Sequence, residues 1–309
     1  MKRDIKETDY FPKFIGIVLI AIDYVLATWF GLIIYKFVVY NGSFPWYINF
    51  LIADIFATVL IFLFSCLSKN ASIYDPYWSV QPIILLACYI FRPEAKFFPP
   101  PSNLTIYLFC IICFWGFRLT INWAYTFKDL NTQDWRYTML KNKTGKFYPF
   151  VNFFGIHLVP TLIVYTCTLP ALFAAVNSNR QMNVFSFLFG LVSIGAVFLQ
   201  GIADYQMHKF RKEKSQNPEN PDYQFMQRGL WKYSRHPNYL AEILMWWGIA
   251  LSVVCAMPEY WFSILGAVLN TCLFLFISIP MADKRQSQKE GFEEYKERTR
   301  MLLPLRRFK

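Results

Sequence analysis

The sequence predicts an all-α, polytopic membrane protein, a bundle of about seven to eight transmembrane helices with both termini in the cytoplasm. Three observations support this prediction: the composition, the lengths of the apolar segments and the distribution of basic residues. Of the 309 residues, 55% are hydrophobic, 20% are aromatic and only 17% are charged, whereas a soluble domain carries about 25% charged residues. We expect one transmembrane domain over 14–280, between a cytoplasmic N-terminal segment, 1–13, and a basic cytoplasmic tail, 281–309.

Apolar segments of about the length needed to cross the ~30 Å hydrocarbon core of a bilayer recur along the chain. The predicted spans are 14–40, 47–67, 77–91, 104–125, 153–176, 185–207, 238–256 and 260–280. The third is short and contains Pro82, so a tilted, kinked or re-entrant helix is expected there. The first span follows a charged segment and is too long for the apolar region of a cleavable signal peptide.

The basic residues are concentrated on one side of these spans. If the N-terminus is cytoplasmic, the cytoplasmic segments carry 26 of the 31 Lys and Arg residues, and the opposite side carries Arg92, Lys96 and Arg180. This asymmetry agrees with the positive-inside rule. We therefore attribute the net charge of +11 to loops that face anionic membrane lipids, and we predict no nucleic acid partner.

The sequence gives little support for a metal or for a conventional nucleotide fold. The three histidines, His157, His208 and His236, are not accompanied by an HxxxH pattern or a carboxylate cluster, so no metal site is predicted. Neither a Walker loop nor a GxGxxG motif after a strand is present, so a nucleotide would have to be held in another way.

Polar residues interrupt the apolar pattern most regularly at the end of the sixth span. Gln200, Asp204, His208 and Arg211 are spaced so that they share one helix face. An unpaired carboxylate in a membrane is costly. Asp204 is therefore expected to pair with Arg211, to lie among lipid headgroups or to belong to a functional site.

The segment GLWKYSRHPNY, residues 229–239, precedes the seventh span. Its Pro237 suits the first turn of a helix, and the free N–H groups of such a helix start, next to Arg235 and His236, favour a phosphate or carboxylate. Asn238 and Glu242 lie one turn apart on the same face. A carboxylate inside a span indicates a functional residue, with a structural ion pair as the alternative.

Further polar residues are expected on the same side of the membrane. Arg118 lies inside the fourth span, where snorkelling to the headgroups is the alternative explanation. The other candidates are Asp134-Trp-Arg-Tyr137, Lys284, Arg285, Asp75, Tyr77, Trp78 and Gln81. Together these groups are suited to an anionic, adenosine-bearing cofactor at the cytoplasmic mouth of a lipid-accessible cavity. No role is predicted for Asp23 and Asp54, which lie within spans.

The stretch GLWKYSRHPNYLAE resembles the C-terminal signature of the steroid 5α-reductase superfamily, and most closely its branch catalogued as domain of unknown function 1295. Motifs typical of that branch occur in the same order from about residue 70 to 305: Asp75-x-Tyr-Trp78, Arg118, Asp134-Trp-Arg-Tyr137, Asp204 with Arg211, and the tail IPMADKR…FEEYKERTRMLLP. The Arg-His-Pro-x-Tyr motif also occurs in isoprenylcysteine methyltransferases.

This resemblance implies a membrane helix bundle that binds NADPH from the cytoplasmic side and reduces a carbon–carbon double bond of a lipid-like enone, such as a sterol or steroid. By the resemblance, Gln200, Asp204, Arg211, Asn238 and Glu242 contact the nucleotide, with Arg118 on the phosphate side. The other predicted cofactor-binding residues are Asp134, Arg136, Tyr137, Tyr233, Arg235, His236, Tyr239, Lys284 and Arg285.

The catalytic prediction concerns the third span. Tyr77 or Gln81 is predicted to donate a hydrogen bond to the developing enolate oxygen. The steroid-metabolising reductases have a Gln-Glu pair in an early helix, whereas Gln81 is followed by Pro82. The substrate class is therefore left open within lipid-like enones.

Two other functions compete with the reductase. A methyltransferase using S-adenosylmethionine would account for Arg235-His-Pro-x-Tyr239 and Glu242, but not for Asp134-Trp-Arg-Tyr137 or for Asp204 with Arg211. A non-catalytic lipid-binding membrane protein would bind neither cofactor tightly. The family implies the endoplasmic reticulum in a eukaryote, and a bacterial source would imply the inner membrane.

Overall fold

The structure is a computed structural model that describes residues 10–42, 44–91, 100–177, 179–220 and 223–304. Within these ranges the chain is helical and contains no strand, apart from one isolated bridge between Ser234 and Arg300. The all-α prediction is confirmed. Parts of the predicted terminal segments, 1–9 and 305–309, and the predicted outer cations Arg92 and Lys96 lie outside the described residues.

The helices follow one another with short connections. In chain order they are α1 (Tyr10–Asn41), α2 (Trp46–Leu67), α3 (Tyr77–Ile90), α4 (Asn103–Thr126), α5 (Trp135–Thr144), α6 (Tyr148–Phe150), α7 (Val159–Val176), α8 (Val184–Gln216), α9 (Pro237–Ala256), α10 (Leu265–Leu273), α11 (Ile279–Gln286) and α12 (Phe292–Arg298). Two π-helical segments, Val151–Leu158 and Phe274–Ser278, lead into α7 and α11.

In the described part of the chain, seven helical runs are long and apolar enough to cross a membrane. They are Pro12–Asn41, Trp46–Leu67, Asn103–Thr126, Trp135–Val176, Val184–Gln216, Pro237–Ala256 and Pro258–Gln286. The predicted third span is α3, which has 14 residues and contains Pro82. At 1.5 Å per residue its length is about 21 Å, so α3 alone is shorter than a hydrocarbon core of about 30 Å.

By its contacts the chain divides into two units: 1–98 with 112–169, and 99–111 with 170–309. In the first unit, α1 and α2 pack closely because Gly31 has no side chain: a Cβ there would lie 3.1 Å from the Ala53 carbonyl oxygen. Hydroxyl groups connect α2 to α7 through a hydrogen bond of 3.0 Å between Thr58 and Thr161. Thr161 also bonds to the Tyr74 hydroxyl at 2.8 Å.

In the second unit, α8 and α9 pack against each other through small residues. A Cβ on Gly248 would lie 2.2 Å from Ser193 Oγ, and that hydroxyl donates a hydrogen bond of 2.8 Å to the Met245 carbonyl. Ser252 Oγ donates likewise to the Ser186 carbonyl at 2.7 Å. Small and hydroxyl-bearing residues let membrane helices approach closely and bond across the interface. The resulting register places Gln200 on α8 opposite Glu242 on α9.

Candidate functional site

A buried polar cluster lies where α8 faces α9, which we call the Glu242 cluster: Gln200, Glu242 and Trp246. Gln200 Nε2 donates a hydrogen bond of 2.8 Å to Glu242 Oε2, and Trp246 Nε1 donates one of 3.0 Å to Glu242 Oε1. The exposed fractions of Gln200, Glu242 and Trp246 are 6%, 3% and 1%. The resemblance assigned Gln200 and Glu242 each to the nucleotide, and the structure shows that they form a hydrogen bond with each other.

Polar atoms around this cluster are buried and lack a partner among the described residues. They include the Gln200 side-chain oxygen, the Asn238 side-chain oxygen and Arg235 Nε. Buried polar atoms in folded proteins are nearly always hydrogen-bonded to protein, water or a ligand. Two acceptors and one donor of the second unit are therefore available to a polar ligand or to ordered water.

At the start of α9, Arg235 and His236 share one carboxylate. Arg235 Nη2 donates to Asp283 Oδ2 at 2.9 Å, and His236 Nε2 lies 2.8 Å from Asp283 Oδ1. Arg235 Nη1 also donates to the Thr299 carbonyl at 2.6 Å. Both side chains are buried, and a buried charge such as the Arg235 guanidinium needs a partner of this kind. The predicted phosphate-side residues Arg235 and His236 are thus fixed in position by α11 and by the tail.

The segment that precedes α9 is held by the C-terminal tail. The Tyr295 hydroxyl donates to the Trp231 carbonyl, and Arg235 N donates to the Arg300 carbonyl at 3.0 Å. Burial raises the pKa of Tyr295, so its hydroxyl stays a donor. Burial also lowers the pKa of Lys289 to about 8, an effect to which the nearby Lys214 and Arg285 add. The positive charges of Lys214, Arg285 and Lys289 are therefore close enough to repel one another.

The remaining predicted residues of the second unit lie nearer the surface. Along α8, Gln200 is buried, Asp204 is half-buried and Arg211 is exposed. The Tyr239 ring stacks on the His236 ring, with centroids 5.3 Å apart and planes at 4°, and contacts Phe274 on its other side at 4.8 Å. Tyr233, Lys284 and Arg285 are exposed.

In the first unit, the predicted Asp134-Trp-Arg-Tyr137 motif bonds to the turn before α3. The Tyr137 hydroxyl donates to Asp75, Arg136 Nη2 lies 3.8 Å from Asp75 Oδ1, and Arg136 Nε donates to Asp134 Oδ1 at 2.8 Å. Asp134 N in turn donates to Ser72 Oγ at 2.8 Å. We call this set of residues the Asp75 junction. It fixes α5 against the turn, and its assignment to a nucleotide stays a prediction.

The predicted catalytic residues Tyr77 and Gln81 are both buried in the first unit, at 3% and 4% exposure. The Tyr77 hydroxyl donates to Asp54 Oδ1 at 3.2 Å, and the Gln81 side chain lies beside the same carboxyl. Both amide atoms of Gln81 and Asp54 Oδ2 are shielded from solvent. Arg118, on α4, is half-buried with Nε and Nη2 shielded from solvent.

Three residues with a defined place in these clusters were missed by the sequence prediction. Asp283 holds both Arg235 and His236, although its exposed neighbours Lys284 and Arg285 were the ones predicted. Trp246 donates to Glu242 from the i+4 position, a spacing that indicates a contact on any helix. Asp54, which was left without a role, accepts the Tyr77 hydrogen bond. In the described residues, no group of three or more His, Cys, Asp or Glu is suited to a metal ion.

Comparison with known proteins gives a family without an assigned activity. The profile described as "Protein of unknown function (DUF1295)" matches residues 61–299. The chain is 24% identical over 288 residues to "Uncharacterized protein C594.04c" of Schizosaccharomyces pombe (strain 972), an alignment that covers 83% of this chain and 77% of that protein. No solved structure matches the chain at a significant level. Because the profile match spans well over half of the chain and includes every clustered residue except Asp54, the protein belongs to the DUF1295 family.

Proposed function

We propose that the protein is an NADPH-dependent membrane reductase that acts on a carbon–carbon double bond of a lipid-like enone, as a relative of the steroid 5α-reductases. The observation that carries the proposal is the Glu242 cluster, in which a buried carboxylate and amide lie near unfilled acceptors. The second support is the order of the sequence motifs. We also propose that both termini lie in the cytoplasm, and that a eukaryotic host would place the protein in the endoplasmic reticulum and a bacterial host in the inner membrane.

The second unit has the groups that a nucleotide requires. The Gln200 and Asn238 side-chain oxygens accept hydrogen bonds from ribose hydroxyl or carboxamide groups, and the Glu242 carboxylate accepts a stronger, charge-assisted one. In this proposal a phosphate lies at the start of α9, because the N-terminus of a helix favours an anion. Arg118 is assigned to the phosphates by the sequence resemblance alone.

As in the sequence prediction, Tyr77 or Gln81 is assigned the polarisation of the substrate. NADPH, when bound, supplies a hydride to the β-carbon of the enone. Negative charge then develops on the enone oxygen, where a hydrogen bond from Tyr77 or Gln81 stabilises it. A proton from water or from a protein acid reaches the α-carbon and completes the saturated ketone.

The proposal is tested by incubating the purified protein with NADPH and a panel of lipid enones. We expect NADPH oxidation to match formation of a product heavier by two hydrogens, with deuterium from 4-deuterated NADPH at the β-carbon. Tyr77→Phe should slow the reduction and leave NADPH binding intact, with Tyr205→Phe, an exposed tyrosine, as the matched control. No reduction of any enone by protein that binds NADPH would contradict the assigned reaction.

Methyl transfer remains the alternative, because Arg235-His-Pro-x-Tyr239 and Glu242 also suit S-adenosylmethionine. The two cofactors differ in the 2′-phosphate and in overall charge. Selective thermal stabilisation by S-adenosylmethionine would favour the methyltransferase, since a ligand that binds only the native state raises its stability. A response to neither cofactor would favour a non-catalytic lipid-binding protein.

A further inference from the structure

We propose that α5 and the turn that follows it form a binding site for an anionic phospholipid headgroup at the membrane surface. Residues 135–150 include Arg136, Lys141, Lys143 and Lys146 and contain no Asp or Glu. The three lysines are exposed, and none of them makes an ion pair with a described residue. Their charge is therefore available to a ligand.

The position of α5 along the chain places it at a membrane boundary. It begins a helical run of 42 residues, Trp135–Val176, which would be about 63 Å long if straight. A bilayer core needs only about half of that length. The polar end of the run, up to Phe150, is accordingly left among the headgroups, and Gly145, with φ of +51°, turns the chain between α5 and the apolar part.

The two faces of α5 differ in a way that suits this location. Tyr137 and Leu140 pack inward on Ala71 and Ile156. The opposite face forms a shallow depression of about 740 Å³, lined by Trp135, Thr138, Met139, Asn142 and Lys143. A tryptophan, a hydroxyl, an amide and a lysine together suit a phosphate at the level where aromatic rings meet the headgroups.

Exposed aromatic side chains next to the lysines favour a lipid over a free anion. Phe147 and Phe150 are 76% and 64% exposed, and such apolar surface is stabilised only if it inserts beside acyl chains. Basic residues close in sequence to exposed Phe residues are typical of elements that lie in the membrane interface and bind anionic lipids. The Asp75 junction fixes the start of α5 by hydrogen bonds.

The test is photo-crosslinking of the full-length purified protein with photoactivatable phosphatidylglycerol and, in parallel, photoactivatable phosphatidylcholine. We expect phosphatidylglycerol to label residues 135–150 in strong preference to phosphatidylcholine. Each basic residue near the surface contributes about fivefold to the binding of an anionic lipid. The triple variant Lys141→Gln, Lys143→Gln, Lys146→Gln should therefore weaken the binding of phosphatidylglycerol by about tenfold to a hundredfold.

A matched triple variant, Lys209→Gln, Lys212→Gln, Lys232→Gln, removes the same charge from exposed positions elsewhere and should leave this labelling unchanged. The double variant Phe147→Ala, Phe150→Ala should weaken lipid binding with no change of charge, and inorganic phosphate at equal ionic strength should not compete. Equal labelling by the two lipids, equal losses in the two triple variants, or full competition by phosphate would overturn the proposal.

Discussion

The Asp75 junction and the Glu242 cluster are both built from residues that the sequence assigned to one cofactor site, yet their hydrogen bonding differs. In the junction, Asp75, Asp134, Arg136 and Tyr137 bond to one another and to the backbone, and none of them has a buried polar atom without a partner. Near the Glu242 cluster, the side-chain oxygens of Gln200 and Asn238 are buried and unfilled among the described residues.

This difference is the one we expect between a structural polar network and a network that binds a ligand. A complete network stabilises the fold, because each buried group already has its partner. Buried polar groups without a partner lower the stability of the fold, unless a ligand or ordered water supplies the missing hydrogen bonds. We therefore expect substitutions in the junction to lower stability and substitutions in the Glu242 cluster to lower cofactor affinity.

The largest loss of stability is expected from Asp283→Ala. This change leaves the buried Arg235 charge without its carboxylate, and breaking a buried ion pair in this way costs about 3–5 kcal/mol. Asp283→Asn keeps one hydrogen-bond acceptor and should cost less. Thermal unfolding in detergent measures both. An Asp283→Ala protein as stable as the wild type would contradict a stabilising role for the ion pair between Asp283 and Arg235.

A smaller effect is expected from pH at the Asp75 junction. Burial raises the pKa of the Asp75 carboxyl to about 6 from an ordinary value of 3.8, although Arg136 and Tyr137 oppose the rise. The native state therefore binds this proton more tightly than the unfolded chain does. The contribution of Asp75 to the free energy of unfolding is highest below about pH 4, falls as the pH rises to about 6, and is then constant.

The expected fall is up to about 3 kcal/mol, since each unit of pKa difference corresponds to 1.36 kcal/mol. Denaturant unfolding of the wild type and of Asp75→Asn between pH 4 and pH 7 measures it. The variant cannot titrate at this position and should show a flatter pH dependence. Identical slopes for the two proteins would contradict a raised pKa at Asp75.

The smallest change of stability is expected from Tyr137→Phe. It removes the hydrogen bond to Asp75, for a cost of about 1–2 kcal/mol. NADPH affinity should not change, because the hydroxyl belongs to the junction. Tyr205→Phe, at a tyrosine that is 69% exposed, is the control and should alter neither property. Loss of NADPH affinity in Tyr137→Phe alone would move the junction into the cofactor site.

The fold was predictable because membrane spans are recorded in the sequence as long apolar segments. The same reasoning identified α3 as exceptional, since Pro82 and its short length are visible without a structure. Which polar residues are buried and which are exposed was harder to predict from the sequence. Lys284 and Arg285 look like phosphate ligands, but successive helix residues point about 100° apart, and of three consecutive charged residues only Asp283 faces inward.

The pairing of Gln200 with Glu242 shows where sequence reasoning ends. Each residue was identifiable alone, as a polar side chain in or beside an apolar span. Their contact depends on the register of α8 against α9, which is set by Gly248, Ser193 and Ser252. Small residues of this kind allow close packing but do not show which helix packs against them. The contact between Gln200 and Glu242 could therefore be identified only from the three-dimensional structure.

Measurements of NADPH affinity test most directly whether the Glu242 cluster binds the cofactor and the Asp75 junction does not. We would titrate NADPH into the wild type, Glu242→Gln and Tyr137→Phe, and measure the dissociation constant for each. Glu242→Gln keeps the shape of the side chain but loses the charge, so affinity should fall tenfold or more, while Tyr137→Phe should bind as the wild type does. Equal affinity in all three proteins, or no binding of NADPH by the wild type, would contradict the proposed cofactor site.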